Sequence, residues 1–501
     1  MKSKRILILL LAALFVCSTA ALHACAGDGG SDITTASQQQ NESGENASDD
    51  EISADAYIFP EIEGGGREFK FYNVPVNVWG YYTDLAFEET PGEALDDAVY
   101  RRNRFIEDKF NISITEINMP GTDMWTYNSD LRRLLTAGED IYDAIFMPVS
   151  FNGTIGTMIT ENLFHDMREI PTLNIEREWW NQTMLRDAAI GTGNSIFYTG
   201  SSINLFTLQS GGYIFFNQDM MQDIGQPLPY DIVREGKWTF DVFQQYIRAG
   251  TSLNGAVDFT WEPGGSAVYG QVGYGFTPVA LLAGAGEQFI TLDDGMPVFA
   301  PGERFIRVLT GISEILDISN GNYIPGIDWT HNIQHYEVMF RSSRAMFTVA
   351  ELKSANQFRD MDATFGILPM PKFDEAQQEY MTRLINSTLV LVIPHTNDRT
   401  EFTGAVLDAL AYLSHRDITP VLFDIAVSHK QLRNEESIEM LEFTKNKGSF
   451  DIGVAYGWTN EFSDIIATTI GEGKPMDIVS QIERLSGRIN ADIAQTIDRF
   501  N

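Results

Sequence analysis

The chain has 501 residues and a formal net charge of −34, with 35 Lys and Arg against 69 Asp and Glu. This balance argues against partners that need clustered positive charge, namely nucleic acid and the surface of an anionic membrane. With 44% hydrophobic residues, the chain is long enough to bury a sizeable core, and its length predicts a globular body of two or three lobes.

The first residues have the pattern of a secretory signal. Lys2, Lys4 and Arg5 precede an apolar run, residues 6–22, that is short for a membrane-spanning helix. An uncleaved signal-anchor helix is the alternative interpretation. The pattern predicts that residues 1–24 are removed.

The end of this leader, Leu22-His23-Ala24-Cys25, resembles the lipobox of bacterial lipoproteins. The resemblance implies that Cys25 is acylated and becomes the first residue of the mature protein, although His23 replaces the small residue usual at its position. Cleavage there removes Cys17, so no disulfide is possible, and leaves a net charge of −37 because three basic residues are lost. Residues 25–56 are rich in Gly, Ser, Gln, Asn and acids, which predicts a disordered, acylated tether.

Strands and helices alternate after the tether. "REFKFYNV" predicts a half-buried strand, "PGEALDDAVYRRNRFIEDKF" an amphipathic helix, "ISITEI" a strand, "SDLRRLLTAGED" a helix ending at Gly138, and "YDAIFMP" a buried strand. This order is typical of βαβ units on a parallel sheet.

A second region continues the alternation. "IFYTG" and "GGYIFFNQDMM" begin it, "RAMFTVAE", "ATFGILPMP" and "STLVLVIP" predict buried strands, and "TGAVLDALAYLS" predicts a helix. The last 25 residues place isoleucines and Leu485 on one stripe, which predicts a packed terminal helix.

Three segments, "ALDDAVYRRNRFIEDKF", "YIFFNQDMMQDIGQPLPYDIVREGKWTFDVF" and "FGILPMPKFDEAQQEY", resemble the extracellular solute-binding proteins of ABC importers, in the branch of maltose- and oligosaccharide-binding proteins. The resemblance is collinear from about Arg67 to the C-terminus. It implies a periplasmic-binding-protein-like α/β fold: two α/β lobes, crossing hinge strands and a ligand cleft between the lobes. We expect crossings near residues 198–216 and 365–371. The expected parts are a first lobe over 57–200, a second lobe over 201–370, a return to the first lobe over 371–425, and a helical part over 426–501 that packs on the second lobe.

A sugar offers hydroxyls and apolar C–H faces, so its site needs aromatic rings and a few carboxylates or amides. Trp79, Tyr81 and Tyr82 follow the first strand, where an open α/β sheet forms its ligand crevice. By order along the chain, Ser150 and Phe151 correspond to a ligand-facing loop of the resembling family. Ordinary loop packing is the alternative for each of these residues.

Four further positions are candidates for ligand contact. Tyr274, with Gln271, corresponds in order to a second ligand-facing loop of the family, and Glu351 ends the strand "RAMFTVAE", where it could accept hydroxyl protons. Trp458 lies where the maltose-type relatives place a stacking aromatic. A packing role is the alternative for Tyr274 and Trp458, and a solvated strand end is the alternative for Glu351.

Three other tryptophans are expected to pack. Trp179 and Trp180 lie between two predicted helices, and Trp238 precedes a helix for which Thr239 is the expected N-cap.

Catalytic, metal and cofactor signatures do not emerge from the sequence. His331 and His335 in "HNIQH" lack the glutamate of a zinc helix, "GEGKP" lacks the spacing of a phosphate loop, and no G-x-S-x-G occurs. A glycosidase would need two carboxylates at a defined separation, and nothing singles out such a pair. We therefore predict a protein that is not an enzyme and needs no cofactor or metal.

These features together predict a monomeric lipoprotein anchored to the outer face of the cell membrane. It would capture an extracellular solute, an oligosaccharide, by lobe closure and deliver it to ABC permease subunits. The alternatives are a sensory or adhesive lipoprotein that presents ligand to a membrane receptor, and a secreted carbohydrate-active enzyme.

Overall fold

The computed structural model describes residues 57–75, 80–88, 92–120, 124–149, 155–259, 264–293, 295–323, 327–328, 333–427, 434–445, 447–449, 451–471, 473–474 and 476–500. The predictions for the leader, for Cys25 and for the tether concern residues outside this part of the chain, as do those for Trp79, Ser150 and Phe151. The chain from Tyr57 onward forms one compact unit.

The strands are short and are distributed along most of this unit. They are β1 (Arg67–Asn73), β2 (Ile112–Asn118), β3 (Ala144–Pro148), β4 (Gly212–Asn217), β5 (Tyr269–Val272), β6 (Thr291–Asp293), β7 (Met296–Val298), β8 (Asn322–Tyr323), β9 (Ile327–Asp328), β10 (Ile333–Gln334), β11 (Ala345–Glu351), β12 (Phe365–Leu368), β13 (Thr382–Arg383), β14 (Leu389–Val392) and β15 (Gly448–Ser449).

The helices lie between and after these strands. They are α1 (Ala94–Phe110), α2 (Met124–Thr136), α3 (Ile155–Thr160), α4 (Gln182–Ala188), α5 (Phe206–Gln209), α6 (Gln218–Asp223), α7 (Tyr230–Arg234), α8 (Phe240–Ala249), α9 (Thr277–Gly284), α10 (Glu303–Ile315), α11 (His335–Arg341), α12 (Ala355–Phe358), α13 (Thr400–Leu413), α14 (Thr419–Val427), α15 (Glu435–Glu442), α16 (Ile452–Tyr456), α17 (Asn460–Thr469) and α18 (Ile478–Ile497).

The first sheet has the strand order β14-β3-β1-β2. β1 runs parallel to both β2 and β3, which confirms the predicted βαβ units. β14 pairs antiparallel with β3, so the sheet as a whole is mixed. β14 reaches this sheet from the other one, and no βαβ crossover between neighbours fixes its direction.

The second sheet has the order β12-β4-β11-β5-β8. β5 runs parallel to both β11 and β8, whereas β4 is antiparallel to both β11 and β12. The predicted segment "IFYTG" adds only one bridge, Thr199 to Leu391, to the first sheet. The chain therefore passes from the first sheet to the second between Thr199 and Gly212, and it returns between β12 and β14.

Alternate residues of each sheet strand enter opposite cores. In the first sheet, Phe71 and Phe146 belong to one hydrophobic cluster, while Tyr72 and Ile145 belong to another. Successive side chains of a strand point to opposite faces, so both faces of the sheet are covered. This explains why β3 and β4 are buried along their whole length.

The predicted terminal stripe is confirmed in α18, where Ile478, Leu485, Ile489, Ile493 and Ile497 are buried. Their side chains join the core that also covers one face of the second sheet. Among the residues that the structure describes, no helix has both the length and the apolar composition needed to cross a membrane.

The predicted packing of three tryptophans is also confirmed. The indole nitrogens of Trp179 and Trp180 donate to Oδ1 of buried Asp408 at 2.9 and 3.0 Å. Trp238 is fully buried and its Nε1 donates to the carbonyl oxygen of Pro369 at 3.0 Å. Thr239 occupies the N-cap position of α8 as predicted, but its hydroxyl makes no capping hydrogen bond.

Asp84, in the loop after β1, makes stability depend on pH. Burial, with the negative charges of Glu116 and Asp96, raises the pKa of Asp84 to about 6. In the unfolded chain its pKa is about 3.9. The folded protein therefore binds more protons between about pH 4 and pH 6, and the stability contributed by the protonated group is lost as pH rises through this window.

Asp84→Asn is therefore expected to raise the free energy of unfolding by about 1 kcal/mol at pH 7 and to change it little at pH 4. The full effect of the pKa difference is reduced because Asp84 is only half-buried and solvent screens its charge. Urea unfolding of both proteins at both pH values measures the effect. An equal change at the two pH values would show that the charge of Asp84 is not its cause.

Candidate functional site

The loop after β1 brings Tyr81 to the end of β11 in the second sheet. Tyr81 is 1% exposed, and its hydroxyl donates to Oε2 of Glu351 at 2.5 Å. Its ring stacks on Phe206, with the ring centroids 3.9 Å apart. This contact joins two residues that lie 270 positions apart and that were predicted separately as ligand contacts.

Lys353 completes a three-residue contact. Its Nζ lies 3.3 Å from Oε2 of Glu351 and 3.9 Å from the centroid of the Tyr81 ring. The side chains of Glu351 and Lys353 are each 14% exposed. The amine therefore neutralises the carboxylate and also makes a cation–π contact in a largely water-free position.

Two further tyrosines surround this contact. The ring of Tyr274, after β5, lies 5.9 Å from that of Tyr336 in α11. Burial and the negative charge of Glu351 raise the pKa of Tyr81 and of Tyr274, and burial with the charges of Glu337 and Glu351 raises that of Tyr336. All three phenols are therefore protonated at neutral pH and can donate hydrogen bonds.

Arg383 in β13 links these residues to a cavity. Burial lowers the pKa of Arg383, while Tyr274, Glu351 and Asp451 favour its charged form. Its guanidinium carbon lies 5.7 Å from the centre of the Phe276 ring. An arginine stays positive in proteins, so this is a buried cation.

The cavity has a volume of about 440 Å³, within the usual range for small-molecule sites. Its walls come from α4, from α9 and the segment after it, from β13 and from the start of α16. The lining residues used below are Arg186, Asp187, Glu287, Gln288, Arg383 and Asp451.

No protein-family model and no curated protein matches this chain. Solved structures do match it, at low sequence identity. A sugar transporter from Rhizobium etli, in an open conformation, has a TM-score of 0.53 at 11% identity, covering 85% of this chain and 99% of that chain. A cyclo/maltodextrin-binding protein complexed with maltotetraose has a TM-score of 0.51 at 13% identity, covering 87% of this chain and 97% of that chain.

A third match is UgpB from Mycobacterium tuberculosis in complex with glycerophosphocholine. Its TM-score is 0.50 at 12% identity, and the match covers 80% of this chain and 95% of that chain. The chain has the periplasmic-binding-protein-like fold. The fold class inferred from the sequence resemblance is thus confirmed, because the matches extend over most of the chain.

Within this fold, Tyr81, Tyr274 and Glu351, which were nominated separately, lie close to one another. Their contact with ligand stays a prediction, because what the structure gives is their proximity to one another. Of the two auxiliary candidates, Gln271 is buried in β5, and Tyr82 donates from its hydroxyl to Asp96 at 2.6 Å.

Trp458 lies in a different environment. It is 4% exposed, its ring stacks on Tyr456 with centroids 4.6 Å apart, and its Nε1 donates to the hydroxyl of Thr496 in α18 at 3.2 Å. Its described contacts are thus those of a packed side chain. The stacking of a sugar on Trp458 stays a prediction.

Sequence reasoning did not find Lys353, Tyr336 or Arg383. Lys353 follows Glu351 by two residues, so the strand-end rule that selected Glu351 could have included it. Arg383 occurs in "MTRLINST", a polar segment with no periodic pattern, and its burial depends on partners far away in the chain. The histidine pair predicted to hold no metal lies partly outside the described residues. Among those described, no cluster of three metal-ligating side chains occurs.

Proposed function

We propose that this protein is the substrate-binding lipoprotein of an ABC importer, which captures an extracellular oligosaccharide and delivers it to a membrane permease. The observation that carries the proposal is the convergence of Tyr81, from the loop after β1, with Glu351, from the end of β11 in the other sheet, while Arg383, which interacts electrostatically with Glu351, lines a cavity of ligand size. The cyclo/maltodextrin-binding protein of the same fold was solved with maltotetraose, which supports a saccharide as the ligand.

The chemistry of the cluster fits a saccharide. Tyrosine rings offer flat apolar surface to C–H faces, and their protonated hydroxyls donate to ring and hydroxyl oxygens. Glu351 accepts from hydroxyls in return. Because side chains from both sheets contribute, a bound solute would stabilise the arrangement in which the two sheets are close, and binding would be coupled to closure.

Thermal unfolding tests the binding step. The chain from Ala26 onward, which lacks the leader and Cys25, is heated with neutral and acidic oligosaccharides, with tripeptides and with glycerophosphocholine. A ligand present at about 100 times its Kd should stabilise the protein by about 2.7 kcal/mol if it binds only the folded state. A shift with peptides or glycerophosphocholine, and none with any saccharide, would refute the carbohydrate part of the proposal.

Uptake by a deletion strain tests import and anchoring. Loss of labelled-ligand uptake, restored by the wild-type gene, supports import; normal uptake would favour a sensory or adhesive lipoprotein. Complementation with Cys25→Ser should give a secreted protein that is released from the cells and that restores uptake poorly. Retention of this variant in the membrane fraction would contradict a lipid anchor at Cys25.

A further inference from the structure

The charged side chains of the cavity differ in how fully they are paired. Asp187 accepts hydrogen bonds from Nε of Arg186 at 2.8 Å and from Nε2 of Gln288 at 2.7 Å. Glu287 forms an ion pair with Arg304. These two carboxylates therefore already have cationic partners within the protein.

The third carboxylate of the cavity, Asp451, is saturated in another way. Its Oδ2 accepts from the backbone N–H groups of Phe289 and Ile290 at 2.6 and 2.9 Å, and its Oδ1 accepts from that of Gly453 at 2.8 Å. The hydroxyl of Thr459 lies 3.4 Å from Oδ1. Asp451 thus caps α16 and fixes the segment after α9, and its oxygens are occupied.

Arg383 is the exception. It is 6% exposed, and its guanidinium hydrogen-bonds to Oδ1 of Asn386. No carboxylate of the described residues lies within salt-bridge distance of it. A guanidinium carries five N–H donors, so most of its donors remain for a molecule in the cavity that it lines.

A buried cation without a bonded anion is costly, because desolvation is not repaid by a close partner. Nearby Glu351 and Asp451 offset its charge through space, but neither lies within salt-bridge distance of it: Oε2 of Glu351 is bonded to Tyr81 and close to Lys353, and both oxygens of Asp451 accept backbone hydrogen bonds. Two neighbouring sugar hydroxyls could accept from the guanidinium, yet they would leave the cation unneutralised. A carboxylate both accepts two parallel hydrogen bonds and supplies the missing charge, and such bonds are roughly twice as strong as neutral ones.

We propose that Arg383 binds a carboxylate of the solute in this cavity, so that the ligand is an acidic oligosaccharide that contains a uronic acid. The inference rests on the proposed function for the saccharide part of the ligand. The carboxylate of the sugar would face Arg383, and its hydroxyls would face the other polar side chains that line the cavity. Arg383 is then the residue that sets the preference for acidic over neutral saccharides.

A matched pair of trisaccharides tests the preference. Isothermal titration gives Kd for trigalacturonate and for maltotriose, which differ in charge at similar size, at physiological ionic strength. The wild-type protein should bind trigalacturonate at least about tenfold more tightly, as expected for hydrogen bonds to a charged group. Arg383→Gln should abolish that preference, and Arg383→Lys, which keeps the charge without the bidentate geometry, should retain only part of it.

Arg132→Gln is the control, because Arg132 pairs with Glu161 on an exposed surface and its loss changes the net charge by the same amount. It should keep the wild-type preference. Thermal unfolding without ligand shows whether each variant is folded. If Arg383→Gln does not fold, the loss of preference is measured with Arg383→Lys instead.

The outcomes separate the two proposals. Tighter binding of maltotriose than of trigalacturonate, or a preference that survives Arg383→Gln, would overturn the inference and leave the proposed function intact. Absence of binding for both trisaccharides and for all other saccharides tested would overturn both.

Discussion

Trp458→Ala is expected to lower the free energy of unfolding by about 3 to 5 kcal/mol, the range for removing a buried tryptophan ring from a core. The ring is 4% exposed and belongs to the cluster that joins α18 to the second sheet. Its stacked partner Tyr456 would lose one face of its contact, and the hydroxyl of Thr496 would lose a donor. Denaturant unfolding without ligand measures this loss.

Trp458→Phe is the companion variant. It keeps most of the ring stacking and removes the hydrogen bond to Thr496, so a loss of about 1 kcal/mol is expected. The backbone at this position should be unaffected, because neither the φ of 76° at Gly457 nor the 2.7 Å hydrogen bond from the N–H of residue 458 to the carbonyl of Gly453 involves the indole. The series therefore isolates what the indole contributes.

The same variants separate packing from ligand stacking. If Trp458 stacks on a sugar and packs little, Trp458→Ala would abolish the ligand-induced shift while leaving the unfolding midpoint without ligand nearly unchanged. The contacts of Trp458 with Tyr456 and Thr496 favour a packing role, in which Trp458→Ala lowers the stability of the protein without ligand. A free energy of unfolding of Trp458→Ala within a few tenths of a kcal/mol of the wild-type value would refute the packing role.

The elements of the fold were accessible from sequence because local periodicity determines them. β1, α1, β2 and β3 occur where alternating and helical patterns predict them, and the isoleucine stripe of α18 is buried as predicted. Strand direction was not accessible for β4 and β14. Each of these strands follows a crossing between sheets, and pairing direction then depends on the path of the crossing and not on the residues of the strand.

In the candidate site, too, local sequence patterns could be recognised, whereas features that depend on long-range packing could not. Tyr81 and Glu351 could be nominated because they lie after or at the end of a strand and have side chains that suit a saccharide, and Tyr274 by its order in the resembling family. Arg383 could not be selected, since its role depends on what surrounds it: a polar segment becomes a buried wall only when α9 and the start of α16 pack against it. Trp458 was a candidate by order along the chain, and order does not reveal which face of the ring is covered.

Glu351→Gln is expected to weaken solute binding by roughly 10- to 100-fold, the range for losing a hydrogen bond to a charged group. Oε2 of Glu351 accepts from Tyr81 and lies close to Lys353, whereas no hydrogen bond to Oε1 occurs among the described residues. Oε1 is therefore the oxygen that can accept from a sugar hydroxyl. An amide at this position carries no charge and replaces one acceptor oxygen by a donor.

The substitution also removes the carboxylate closest to the Lys353 amine, which should lower stability because the amine is mostly buried. The double variant Glu351→Gln/Lys353→Met removes the amine as well. It should regain stability in thermal unfolding without regaining affinity in calorimetry. Recovery of both together would show that the single variant had acted on the fold and not on the ligand.

Glu439→Gln is the matched control, because Glu439 is an exposed partner of Arg234 and undergoes the same chemical change. Its Kd should equal that of the wild type.

Tyr81→Phe tests the other residue of the contact. It removes the hydroxyl bonded to Glu351 and keeps the ring stacked on Phe206, so a smaller loss of affinity is expected than for Glu351→Gln. If Glu351→Gln binds solute within twofold of the wild type, Glu351 is not a ligand residue, and the contact with Tyr81 and Lys353 serves only to hold the two sheets together.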